Sequence, residues 1–397
     1  MKTSVGLTFS GKAALATLFL SLCALSPFKA APQKAGPTSK KNFFRLSFST
    51  DLTAIALSPD GKILACASEP KRGKNWPAPV YVSQQEIPTA KIKGIGSDAT
   101  CSLSLWNVRT KKLIRRQAIH TEIRGMQFTP DGKLLVCGGQ DNSVPLAKHR
   151  NGVGFFRFWD VKTGKLKHTI YTGLTLLAFS PNGRYYAMDT NGGIDLYDTK
   201  SWRRLKTFNW DYPLGIATEI HFSPDSQQVV GLATGREGSG SFRIWDVKSG
   251  RILLILGEDN DYNISGKISP NIAFLPTKKF SYNKPQRVLV NGGYYICVIE
   301  TRGGFKFSHF RRIIKGQQSQ FIFSIGHPNL AIYSPSRGGY GPTFELWNID
   351  TKKKLDSWYL PTPPGSWLDM AFSDNGKKLA FSSDKSVLAA NITNLVR

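Results

Sequence analysis

Three fragments of the chain hold the residue types of a serine acyl-enzyme: Ser68-Glu69-Pro70-Lys71, Lys162-Thr163-Gly164 and Ser373-Asp374-Asn375. Such a set needs its serine at a helix start and its members in a fixed order. Here the first fragment ends a strand-like run, the other two are tight turns, and the order is wrong. The histidines (His120, His149, His168, His221, His309, His327) show no i, i+2 or i, i+4 ligand pairs. His221, in the run EIHFSP, reads as a core or wall histidine with a backbone partner rather than a ligand. Asp189, Asp195, Asp211 and Asp261 follow no common phase, so no metal ring is implied. Asp51, Glu122, Glu219 and Asp369 begin apolar runs, and Glu122 and Glu219 are the acids to inspect first. No HExxH, Walker loop, GxSxG or dinucleotide fingerprint is present. The reading therefore assigns no catalytic residue, no metal ligand and no cofactor.

The elements that must position any site come from one repeated unit. Residues 124–140 read RGMQFTPDGKLLVCGGQ, and 154–165 read GFFRFWDVKTGK. Short apolar runs alternate with Thr-Pro-Asp-Gly and Lys-Thr-Gly-Lys turns. Pro presets φ, Asp bonds the backbone ahead of it, and Gly accepts positive φ. Copies run from LTAIALSPDGKILACAS with CSLSLWNV, through LTLLAFSPNGRYYAMDT with GIDLYDTK, to ATEIHFSPDSQQVVGLA with FRIWDVKSG. Worn copies follow at NIAFLPT, at SQFIFSIGHPNLAIYS with FELWNIDTK, and at SWLDMAFSDNGKKLAFSS with SVLAANI. The position of Trp159 is taken in the others by Trp106, Tyr197, Trp245, Ile299, Trp347 and Ala390. The repeat period is roughly 40–50 residues, the range of four-stranded propeller blades.

On these SPDG turns and the Trp-Asp signature, over about residues 43–397, the chain resembles the WD40-repeat family, in the SPDG-rich form common in bacterial propellers. It departs from the family in lacking the Gly-His pair before each first strand. The resemblance implies an all-β fold, a seven-bladed β-propeller of four-stranded blades. The seventh repeat has three strands, so the N-terminal run Asn42–Ser49 is expected to pair with the last blade and close the ring. In that register Cys66 should face Ser104 rather than Cys101. Cys66, Cys101, Cys137 and Cys297 read as buried small hydrophobes without disulfides.

Residues 1–30 read as a secretory signal peptide: Lys2 and Lys12 precede the apolar run Ala13–Leu25, which Pro27 ends. An uncleaved anchor is the alternative. Residues 31–41 read as a flexible leader and 42–397 as the propeller. No later segment is long and apolar enough to be a membrane-spanning helix. The expected location is secreted or periplasmic, and the expected state a monomer.

The net charge is +26. Such a field attracts anions, which points to an anionic polysaccharide or envelope surface, or to an acidic protein partner. Nucleic acid does not fit export. A basic turn surface that serves only solubility is the plainer alternative. The longest interruption of the repeat is the insert at 69–100, with Lys71, Arg72, Lys74, Trp76, Tyr81, Lys91 and Lys93. The equivalent loop of the second repeat carries Lys148, His149 and Arg150, and that of the sixth carries Arg337 and Tyr340. Basic residues interleaved with aromatics suit sugar rings and anions. The expectation is an exported, non-catalytic binding or scaffold propeller, not an enzyme, acting through this basic loop-rich face. The alternative is a propeller enzyme of lactonase, quinone-dependent dehydrogenase or lyase type, with its site at the channel mouth.

Overall fold

The computed structural model describes residues 43–69, 101–119, 122–140, 154–172, 176–190, 192–210, 217–234, 240–256, 272–274, 286–291, 295–302, 306–315, 320–323, 329–334, 343–359, 369–374, 376–383 and 385–392. Over 272–343 the description is of the backbone. The chain divides into two compact units, Met1–Ser39 and Lys40–Arg397; everything below concerns the second.

Every regular element among the described residues is a strand, and the strands form seven four-stranded antiparallel sheets. The opening strand β1 (Phe43–Ser47) belongs to the last of them. The first sheet is β2 (Leu52–Leu57), β3 (Ile63–Ser68), β4 (Cys101–Asn107) and β5 (Leu113–Ile119). The second is β6 (Glu122–Phe128), β7 (Leu134–Gln140), β8 (Gly154–Asp160) and β9 (Leu166–Thr172). The third is β10 (Leu177–Phe179), β11 (Tyr185–Thr190), β12 (Gly193–Asp198) and β13 (Arg204–Asn209). The fourth is β14 (Ala217–Phe222), β15 (Gln228–Thr234), β16 (Gly240–Asp246) and β17 (Ile252–Leu256). The fifth is β18 (Ile272–Phe274), β19 (Gln286–Asn291), β20 (Tyr295–Arg302) and β21 (Lys306–Lys315). The sixth is β22 (Gln320–Phe323), β23 (Asn329–Ser334), β24 (Thr343–Asn348) and β25 (Lys353–Tyr359). The seventh is β26 (Met370–Phe372), β27 (Lys378–Ser383) and β28 (Ser386–Asn391), with β1 beside β28.

The turns follow from their residues. In Ser58-Pro59-Asp60-Gly61, Gly61 takes φ 67° and donates its N–H to the Ser58 carbonyl. The Ser58 hydroxyl donates to Asp60 and accepts from Ile63 N at 2.9 Å. Thr129 and Asp131 repeat this, as do Ser180 and Asn182, and Ser223 and Asp225. In the fourth sheet Ser226 replaces the glycine at φ 62°, and its hydroxyl accepts from Asn182 N of the third sheet at 3.0 Å. The turns before the outer strands share a second device. A bulge falls just before the Trp position in five sheets. A left-handed residue sits in each of these turns: Gly164 and Gly250, but also Lys111, Trp202 and Lys352. Tight hairpins demand positive φ there, and a side chain costs about 1 kcal/mol.

Where side chains are described, the middle strands are apolar because neighbouring sheets cover them. In β3, Leu64 and Cys66 pack toward β27 and β28 of the seventh sheet. Ala65 and Ala67 pack toward Ile123, Phe128 and Leu135 of the second. Val136, Phe156 and Phe158 meet Tyr186 and Met188 of the third sheet, and Ile194 and Phe208 meet Trp245 of the fourth. Phe344 and Leu346 of the sixth meet Leu379 and Phe381 of the seventh. Full burial of one such side chain stabilises by about 1.5–3 kcal/mol.

The register places every Trp-equivalent residue at the same step. Trp106, Trp159, Tyr197, Trp245, Ile299, Trp347 and Ala390 lie opposite Leu64, Leu135, Tyr186, Val229, Val288, Leu330 and Leu379. Cys66 faces Ser104, as its sequence register required, and Cys66, Cys101 and Cys137 are buried thiols outside any disulfide. The strand read over Asn42–Ser49 is β1 at Phe43–Ser47, paired antiparallel with β28 from Phe43↔Ala390 to Ser47↔Ser386.

Candidate interaction surface

The sequence-assigned contact residues Lys71, Arg72, Lys74, Trp76, Tyr81, Lys91, Lys93, Lys148, His149, Arg150, Arg337 and Tyr340 all lie outside the described residues. The side chains of Glu122 and Cys297 do so too. What can be placed is the frame those loops leave and the charges on the rest of the surface.

The acids of the first strands do structural work. Glu219 lies 3.3 Å from Nε2 of His221, two residues on along the same face of β14. The partner of His221 is thus a carboxylate, where the sequence suggested a backbone group. The Asp369 carboxylate accepts from Ile55 N of the first sheet at 2.8 Å and from Met370 N at 2.9 Å. Burial pushes its pKa up to about 6 against the pull of those two N–H groups. Asp195 of β12 is buried and takes hydrogen bonds from Thr207, Arg204 and Tyr197. Among the described residues no group of three His, Cys, Asp or Glu side chains could hold a metal ion. Burial raises the thiol pKa of Cys66 and Cys137, which keeps both from acting as nucleophiles.

In place of a Gly-His network, the Trp position bonds along its own strand. Trp106 Nε1 donates to the Ser104 hydroxyl at 2.9 Å, and Trp347 Nε1 to the Glu345 carboxylate at 2.8 Å. Where Arg precedes by two residues, it stacks instead. Arg157 lies 4.5 Å over Phe155, and the fully buried Arg243 lies 5.9 Å over Trp210.

The turn acids are committed to their own turns. Asp160 accepts from Thr163 N and Thr163 Oγ1, and Asp198 from Ser201 N and Oγ; these bonds hold both carboxyls below the usual range. Burial works against Asp60 and Asp131, but the Lys62 and Lys133 N–H groups and the turn hydroxyls still hold them low. The neighbouring cations Lys111, Lys112, Lys162, Lys165, Lys200, Arg203, Lys248, Arg251, Lys352 and Lys353 are exposed. Two partly buried cations tie sheets together through turn carbonyls: Arg115 donates to Lys162 O at 3.1 Å and Lys206 to Lys248 O at 2.6 Å. The result is a turn edge where exposed cations outnumber acids, and those acids are hydrogen-bonded within their own turns.

The family model described as "WD domain, G-beta repeat" matches residues 111–146. That stretch begins in the last hairpin of the first sheet and continues through β5, β6 and β7. A Caenorhabditis elegans periodic tryptophan protein 2 homolog is 24% identical over 165 residues, 41% of this chain and 17% of that protein. WD repeat-containing protein 1 of Xenopus tropicalis is 25% identical over 178 residues, 45% of this chain and 26% of that protein. An uncharacterized WD repeat-containing protein of Synechocystis is 24% identical over 139 residues, 34% of this chain and 35% of that protein. The chain thus spans from about a sixth to about a third of the length of the curated relatives it matches. Among the described residues no helix is long and apolar enough to cross a membrane. In its repeated unit and its four-stranded sheets the chain is similar to WD40-repeat proteins, which are typically non-catalytic scaffolds that bind other proteins.

Proposed function

We propose that the chain is an exported, non-catalytic binding or scaffold propeller. Its seven WD-type sheets close into a ring through β1, and residues 1–30 direct export to the periplasm or beyond. The partner is an acidic protein or an anionic polysaccharide at the envelope, met by the basic loops at 69–100, 140–152 and 334–342. The observation that carries this reading is the division of charge. Turn acids such as Asp160 and Asp198 spend their lone pairs on their own turns, while the Lys and Arg beside them are exposed. These turn cations lie at the strand ends opposite the loops and add to the long-range field that draws an anion to the molecule. The test is equilibrium binding of the full chain without residues 1–30 to a sulfated or uronic-acid polysaccharide at several salt concentrations. Saturable binding that weakens steeply with salt is expected. Salt-independent binding, or none at low salt, would sink the electrostatic part.

A further inference from the structure

The second sheet departs from its fellows at one spot. In the first sheet Ala54 lies opposite Ala67, and Ser68 follows. In the fourth Glu219 lies opposite Leu232, and Ala233 follows. In the second sheet the same three positions are Gly125, Gly138 and Gly139. Phe156, which pairs with Gly138 in β8, leans over it: a Cβ there would come within 2.9 Å of the ring. Nothing fills the space beside Gly125, where a Cβ would meet no atom within 4 Å.

The side chains absent from Gly125 and Gly138 leave a cavity of about 480 Å³ between the second and third sheets. Its walls are apolar, with Val136 and Phe156 on one side and Leu177 on the other; Met188, opposite Leu177 in β11, packs against Val136 and Phe156. Gln127 Nε2 reaches across and donates to Leu177 O at 3.0 Å, holding the two inner strands at this separation. The volume lies within the range of small-molecule sites, roughly 300–1,000 Å³. One cation lines it. The ladder of β6 slips between Ile123 and Gly125, so Arg124 is the bulged residue, where the first and fourth sheets have Thr53 and Thr218. A bulge re-aims its side chain, and exposed Arg124 borders the cavity.

We propose that this cavity binds a small aromatic anion, its flat apolar body between the two sheets and its acid group on the Arg124 guanidinium. A planar group suits a gap between stacked sheets, because glycine on one side removes the side-chain layer that normally fills it. A carboxylate on Arg gains a charge-assisted, two-pronged hydrogen bond. Gly139 and Phe155 place the site at the end of the second sheet where β7 stops and β8 begins, and its occupancy does not depend on the function proposed for the basic loops.

The probe is 2-naphthoate, read by NMR on protein carrying 13C-methyl methionine. The chain has four methionines. Met188 packs against the cavity walls Val136 and Phe156, and Met370 lies in the seventh sheet. One saturable site is expected, with the Met188 methyl moving and the Met370 methyl still. Gly125→Leu should fill the cavity and abolish the response with the thermal midpoint kept, since the backbone there is not left-handed. Arg124→Gln should weaken naphthoate about tenfold and leave the neutral 2-naphthalenemethanol unaffected. A silent Met188 methyl at millimolar naphthoate overturns the proposal. So does undiminished binding to folded Gly125→Leu, or unchanged naphthoate affinity in Arg124→Gln. Should Gly125→Leu fail to fold, the Met188 response and Arg124→Gln decide.

Discussion

Asp369 shows how one residue can set a pH dependence at a seam. Its carboxylate caps Ile55 N across the junction of the seventh and first sheets, and burial raises its pKa from 3.8 to about 6. Between those values the native chain holds more proton than the unfolded one, so this group makes stability fall as pH rises from about 4 to about 6 and stay level above. Two pH units at 1.36 kcal/mol each give on the order of 3 kcal/mol. Asp369→Asn keeps an oxygen for Ile55 N and carries no charge. Its melting temperature should match the parent near pH 4 and exceed it at pH 7, and melts across that range check this. Parallel curves would show that the charge is not what titrates. Gly61, at the same seam, tests packing rather than charge. It has φ 67°, and a Cβ would come within 3.0 Å of Lys378 and 3.1 Å of Ser373, while Lys378 Nζ donates to its carbonyl at 2.8 Å. Gly61→Ala should destabilise by about 1–2 kcal/mol in denaturant titration, from αL strain and a displaced lysine stem.

At the scale of the element, β1 carries the boldest expectation. Its Leu46 is buried against Leu57, Leu64 and Val387, and Phe48 N donates to Lys385 O at 2.7 Å. The Phe48 ring meets Trp106 of the first sheet edge-on at 6.1 Å. One strand thus supplies the outer edge of the seventh sheet and part of the seam with the first. Deleting residues 42–50 should abolish cooperative unfolding, and an unchanged melting curve would refute this role. Strand positions were legible in the sequence because Ser-Pro-Asp-Gly has local turn chemistry and Trp marks a fixed step. The Cys66–Ser104 pairing follows from those markers alone. The left-handed turn residues Lys111, Trp202 and Lys352 were hidden, because hairpin geometry overrides residue preference there. The role of Asp369 was hidden too, since its partner Ile55 is 314 positions away. The cavity left a signal in Gly125, Gly138 and Gly139, but its meaning depends on where Phe156 and Leu177 lie in space.

At the scale of the molecule, charge dominates. A net charge of +26 destabilises any compact chain through self-repulsion. Ion pairs such as Lys62–Asp60 and Lys133–Asp131 offset little of it, being exposed and local to single turns. A partner that neutralises this field should therefore both bind and stabilise. With a flexible polyanion, each neutralised charge releases condensed counterions, so the logarithm of affinity should fall linearly with that of salt concentration. If four or more cations are engaged at once, affinity should drop at least about fiftyfold between 50 and 200 mM salt. Replacing Lys162, Lys165, Lys200 and Arg203 by Gln leaves the turn hydrogen bonds of Asp160 and Asp198 in place, because those run to backbone N–H groups and hydroxyls. This variant should keep its fold. A shallower salt slope than the parent's would assign the contact to the turns and outer strands. An unchanged slope would assign it to the basic loops, where Lys71, Lys74, Lys148 and Arg150 lie.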